Sequence, residues 1–116
     1  GKYEEPEGAN TVLLYDKEKK QLRRLTSLEP GIPDIVIAYY PFIIGKQENL
    51  VDFVMTQDTV SRLHLRIDEK DGVYQITDLN STNGTGVAGR ILENNESTEV
   101  HPGDEVTVAG MRFKFE

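Results

Sequence analysis

Apolar residues in this chain recur at the period of a β-strand and nowhere at the period of a helix. No stretch longer than about ten residues keeps apolar side chains at i, i+3, i+4 and i+7, so helix is expected to be nearly absent. The clearest alternation is LHLRID, which sets Leu63, Leu65 and Ile67 on one face and His64, Arg66 and Asp68 on the other. Asp71-Gly72 is a strong two-residue hairpin turn, and VYQITD follows it as the return strand. Near the end, DEVTVAG turns at Gly110 into MRFKFE, where Met111, Phe113 and Phe115 alternate with Arg112, Lys114 and Glu116. Earlier, TVLLYD, a charged DKEKK turn and QLRRLT read as a hairpin, and TSLEPGIPD, with Pro30, Gly31 and Pro33, reads as a loop. IVIAYY and FIIG read as strands broken by Pro41, and Asn83-Gly84 as a second tight-turn pair. Many short strands with frequent turn signals imply an all-β antiparallel sandwich or barrel.

With 116 residues the chain has the size of one domain, and its core needs no covalent staple. It contains no cysteine, which excludes disulfides, thiolate metal sites and a cysteine nucleophile. Its only histidines, His64 and His101, are far apart in sequence, too few and too scattered for a metal centre; neither a metal nor a cofactor is expected. The formal charge of −7 opposes nucleic-acid binding, so an anionic ligand must be captured by a local pocket against the field of the whole protein. There is no apolar run near the roughly 20 residues of a membrane span and no signal-peptide core, so neither membrane insertion nor export is expected. Residues 1–10, polar and acidic with Pro6 and Gly8, read as a flexible tail or linker, and 11–116 as the domain. The initial Gly suggests a piece of a longer polypeptide, and a cytoplasmic location is expected.

Four short pieces stand apart from this pattern: Gly45-Lys46 at a strand end, Ser61-Arg62-Leu63-His64, the run from Asn80 to Thr85, and Gly89. Singly, each has a plain reading as a strand end, a surface charge or a half-buried polar group. Ser61 and His64 lack the G-x-S-x-G elbow that would suggest a hydrolase. The run NSTNGT offers more than a turn needs. Ser81, Thr82, Asn83 and the turn's N–H groups are donors of the kind an oxyanion or a peptide backbone requires. The sequons at Asn80, Asn83 and Asn95 are read as coincidental in a chain without an export signal.

In this order, FIIGK, VSRLH, DLNSTNGTGVAGR and HPGDEVTVAGMRFKF resemble the forkhead-associated (FHA) domain over residues 11–116. The resemblance implies an eleven-stranded antiparallel β-sandwich whose loops at one end bind phosphothreonine peptides, and a module that is not an enzyme. Carried over, the phosphate would be held by Lys46, Ser61, Arg62 and Thr82, while Asn83 would hydrogen-bond the peptide backbone. Gly45, His64 and Gly84 would support the binding loops. Lys46 stands where the family has arginine, and Ala88 where asparagine is usual, so Ala88 receives no site role. The implied partner is a phosphothreonine-bearing protein segment, in trans or within the parent chain, and the implied setting is a larger signalling protein. The alternative is a sandwich of this type used for phosphate-independent contact.

Overall fold

A computed structural model describes residues 22–116. Eleven strands follow one another: β1 (Arg23–Ser27), β2 (Ile35–Ile37), β3 (Phe42–Gly45), β4 (Phe53–Val54), β5 (Leu65–Lys70), β6 (Val73–Asp78), β7 (Thr85–Val87), β8 (Arg90–Ile91), β9 (Ser97–Val100), β10 (Glu105–Val108) and β11 (Met111–Phe115). A single 3-10 turn, Glu48–Leu50, interrupts them. The strands form two sheets, ordered β2-β1-β11-β10-β7-β8 and β4-β3-β5-β6-β9. Pairing is antiparallel except between β3 and β4, which run parallel in the register Ile44↔Phe53 and Gly45↔Val54. This is the one departure from the expected antiparallel sandwich.

Alternation places the core. Ile35 and Ile37 point inward around exposed Val36, and Phe113 and Phe115 point inward around exposed Arg112 and Lys114. Leu25, Ile44, Leu65, Ile67, Ile76, Val106 and Val108 join them between the sheets, all fully buried. Losing either phenylalanine side chain costs about 3–5 kcal/mol in such a core. The pairs Asp71-Gly72, Ala88-Gly89 and Ala109-Gly110 all have positive φ, which matches a two-residue turn to strand twist, and they close β5–β6, β7–β8 and β10–β11.

Three expectations change. The tail at 1–10 and the first arm of the N-terminal hairpin lie outside the described residues. The second arm, β1, has β2 and β11 on its two edges, because the Pro-Gly loop folds β2 back onto it. LHLRID is not a strand throughout: Leu63 is exposed and His64 is fully buried, since the strand starts only at Leu65 and polar ring contacts draw His64 inward. Asn83-Gly84 is not a hairpin turn. Its loop connects β6 to β7, which belong to different sheets, and the left-handed residues are Asn80 and Gly84 rather than Asn83.

Candidate functional site

The loops after β3, before β5 and between β6 and β7 meet at one end of the sandwich. At Gly45 the β3 chain passes so close to the next loop that a Cβ there would sit 2.1 Å from the Arg62 carbonyl oxygen. The contact is fixed by backbone bonds. Lys46 N–H donates to the carbonyls of both Ser61 and Arg62 at 3.0 Å, and Gln47 N–H donates to Arg62 O at 3.2 Å.

His64 joins this pair of loops to the third. Its backbone N–H donates to Ile44 O, and its carbonyl accepts from Leu79 N–H, both at 2.9 Å. Its ring accepts the Ser61 N–H at Nδ1 (3.1 Å) and donates from Nε2 to Gly84 O (2.8 Å). Both ring nitrogens are thus committed to backbone, and neither is bonded to the Ser61 hydroxyl. A serine–histidine nucleophile would need that bond. The expected bracing positions therefore fall together: Gly45 permits the approach, His64 ties the loops, and Gly84 supplies the anchoring carbonyl.

Within the NSTNGT run the side chains divide by depth. Ser81 is buried, and its hydroxyl donates to Asp78 and accepts the Gly84 N–H. The Asp78 carboxylate, also buried, further accepts Ser81 N–H (3.1 Å) and Thr85 Oγ1–H (2.8 Å). Ser81, expected as an available donor, is consumed internally. Thr82 and Asn83 face outward. Thr82 N–H donates to Ser61 Oγ at 3.0 Å, and Asn83 Nδ2 donates to Thr59 O at 2.8 Å. Because Ser61 Oγ only accepts in this arrangement, its O–H remains available to an incoming acceptor.

Lys46, Ser61, Arg62, Thr82 and Asn83 all line one open groove of about 690 Å³. Gln47, Leu50, Asp58, Thr59, Val60, Leu63 and Asn80 complete its wall. Lys46 Nζ lies 3.2 Å from Asp58 Oδ1. The exposed guanidinium of Arg62 has no carboxylate or hydrogen-bond partner among the described residues. Chemically the groove combines Arg62, a cation without a partner among the described residues, Lys46 paired with Asp58, and the hydroxyls of Ser61 and Thr82 beside the amide of Asn83. Ala88 and Gly89 form a hairpin tip and do not line it. Asp58 and Asp78 were not among the expected residues. Asp78 was signalled by its spacing to Ser81, the i+3 relation of a carboxylate capping the turn that follows it. Asp58 had no such signal.

The family model of the FHA domain matches residues 42–109, a span that contains every groove residue. The chain belongs to the FHA domain family. Similar solved structures carry the same fold. Mycobacterium tuberculosis EmbR in complex with a low-affinity phosphopeptide superposes at a TM-score of 0.74 with 24% identity, over 93% of this chain and 29% of that one. The FHA domain of CT664 from Chlamydia trachomatis gives 0.70 with 25% identity, over 81% and 95%. An FHA domain from an analysis of phosphothreonine-dependent FHA domain interactions gives 0.70 with 24% identity, over 82% and 95%. The chain thus spans less than a third of EmbR but nearly all of the isolated domains. No curated protein matches the sequence. No helix among the described residues of this FHA domain is long and apolar enough to cross a membrane, and those residues contain no group of three or more His, Cys, Asp or Glu placed to hold a metal ion.

Proposed function

We propose that this FHA domain recognises phosphothreonine-bearing protein segments in the groove at the end of its sandwich. The observation that carries the reading is Arg62: an exposed guanidinium without a partner among the described residues, set beside the free Ser61 O–H and the Thr82 hydroxyl. A phosphothreonine carries nearly two negative charges and three strong acceptor oxygens, and converging cations and hydroxyls satisfy it. Arg62 and Lys46 supply charge, Ser61 and Thr82 supply hydrogen bonds, and Asn83, already anchored on Thr59, offers its remaining amide groups to the peptide backbone. Each charge-assisted bond contributes about 1.5–3 kcal/mol, and ordering the peptide offsets much of the sum, leaving a reversible interaction. The phosphate-independent alternative gives no reason for an arginine without a partner among the described residues to stand beside the Ser61 and Thr82 hydroxyls. On this reading the domain holds its ligand without transforming it, as one part of a larger cytoplasmic signalling protein.

The test is a titration with one peptide in four forms, bearing phosphothreonine, phosphoserine, glutamate or unmodified threonine. The phosphothreonine form is expected to bind tightest. The phosphoserine form, lacking one methyl worth about 0.8 kcal/mol, should be at least about fourfold weaker. The glutamate form, with about half the charge and fewer acceptors, should bind poorly. Equal affinities across the four would contradict the proposal.

A further inference from the structure

Lys46 and Asp58 form an ion pair on the groove wall, and Asp58, fully exposed, has no second partner among the described residues. The groove therefore presents two cations and one carboxylate, and one of the cations is already bound to that carboxylate. Resting on the phosphothreonine reading above, this arrangement has a consequence for which peptides fit. A phosphate dianion competes strongly with a single solvated carboxylate for an ammonium group. When Lys46 turns to the phosphate, Asp58 is left without its cation, close to the bound peptide.

We propose that Asp58 then pairs with a basic side chain of the ligand, so that the preferred segment carries Lys or Arg near its phosphothreonine. The distances set the range. Asp58 Oδ1 lies 3.2 Å from Lys46 Nζ. Asp58 lines the same groove as Ser61, Arg62 and Thr82, so its carboxylate stays beside a phosphate held there after Lys46 has turned away. An extended peptide advances about 3.3–3.6 Å per residue, so a basic side chain within about three positions of the phosphothreonine reaches Asp58. The formal charge of −7 acts in the same direction, favouring approach of a peptide that is basic around its phosphate. Asp58 thus has two roles of opposite sign: it competes with the phosphate for Lys46 and rewards a basic neighbour.

The experiment titrates the domain and its Asp58→Asn variant with a phosphothreonine peptide flanked by alanines, and with versions carrying one Arg at each of the three positions on either side. The unphosphorylated form of each is the control. Wild type is expected to bind at least one Arg version about three- to fivefold tighter than the all-Ala peptide, the range of a partly exposed ion pair. In Asp58→Asn that preference should fall below about twofold, while the all-Ala peptide binds tighter than to wild type because Lys46 is released. No Arg position better than alanine in wild type, or an Arg preference undiminished in Asp58→Asn, overturns the role of Asp58. Unphosphorylated peptides binding as tightly as their phosphorylated twins would instead overturn the phosphothreonine reading itself.

Discussion

Gly45 and Arg62 touch through backbone, with a Cβ at position 45 reaching to 2.1 Å from the Arg62 carbonyl oxygen. That approach holds the proposed phosphate cation at the end of β3, and it links the glycine-lysine step to the serine-arginine step, which lie apart in sequence but form one loop platform in space.

Gly45→Ala should therefore act on both fold and site. The overlap is with main chain and cannot be relieved by a rotamer, so the loops must separate at a cost of about 1–3 kcal/mol. Thermal unfolding should fall by several degrees, at about 4–8 °C per kcal/mol for a domain of this size. Phosphopeptide affinity should drop with it. A variant with unchanged melting temperature and affinity would show that the contact does not constrain the loops.

The buried Asp78 carboxylate holds the NSTNGT run from beneath, through Ser81 and Thr85. Asp78→Asn keeps the volume but replaces one acceptor oxygen with a donor facing other donors. About 2–4 kcal/mol of stability should be lost, with weaker peptide binding although Asp78 does not line the groove. Denaturant unfolding measures the first effect and titration of a phosphothreonine peptide the second. Stability equal to wild type would remove Asp78 from its bracing role.

The acid side of the stability curve depends on Glu29. Its carboxylate accepts both the Nε–H (3.0 Å) and the backbone N–H (3.1 Å) of Arg112, and the side-chain bond above all holds its pKa below the ordinary carboxylate value of 4.5. A lowered folded-state pKa contributes stability that is complete above the unfolded value and lost as pH falls through the folded one. Glu29→Gln should be less stable than wild type at neutral pH, and the two melting curves should converge as pH falls below about 4.5. A constant gap over that range would contradict the assignment.

Legibility in the sequence followed from how local each signal was. Phe113 and Phe115 alternate with charges, and Asp71-Gly72 has the chemistry of a two-residue turn, so these parts of the sandwich could be read directly. His64 could not be placed by alternation. Its burial comes from ring bonds to Ser61 and Gly84, contacts that join distant segments and override the two-residue period. Asn83-Gly84 has the composition of a hairpin turn, but the two strands it connects lie in different sheets, which no local pattern announces. Within the groove, Lys46, Ser61, Arg62, Thr82 and Asn83 were legible because their motifs resemble a family pattern. Ser81 is the donor its hydroxyl suggests but gives that bond to Asp78 beneath it, and the meaning of Asp58 depends on Lys46 across the groove.

Lys46 departs from the arginine of its family and is already paired with Asp58. If it reaches the phosphate as proposed, Lys46→Arg should keep or tighten binding through added directional donors. Lys46→Ala should weaken it, by a factor that shrinks at high salt as exposed charges are screened. Phosphopeptide titration of the three proteins at low and high salt reads the difference. A Lys46→Ala protein indistinguishable from wild type at low salt would leave the phosphate to Ser61, Arg62 and Thr82.

Calorimetric titration of wild type and Arg62→Ala with one phosphothreonine peptide and its unphosphorylated twin measures whether Arg62 captures a phosphate. Wild type should bind the phosphorylated peptide alone. Arg62→Ala, folded because the side chain is exposed and without a partner among the described residues, should bind it about ten- to a hundredfold more weakly, the 1.5–3 kcal/mol of a charge-assisted bond. Equal affinity of the two proteins, or equal affinity of wild type for the two peptides, would contradict the account.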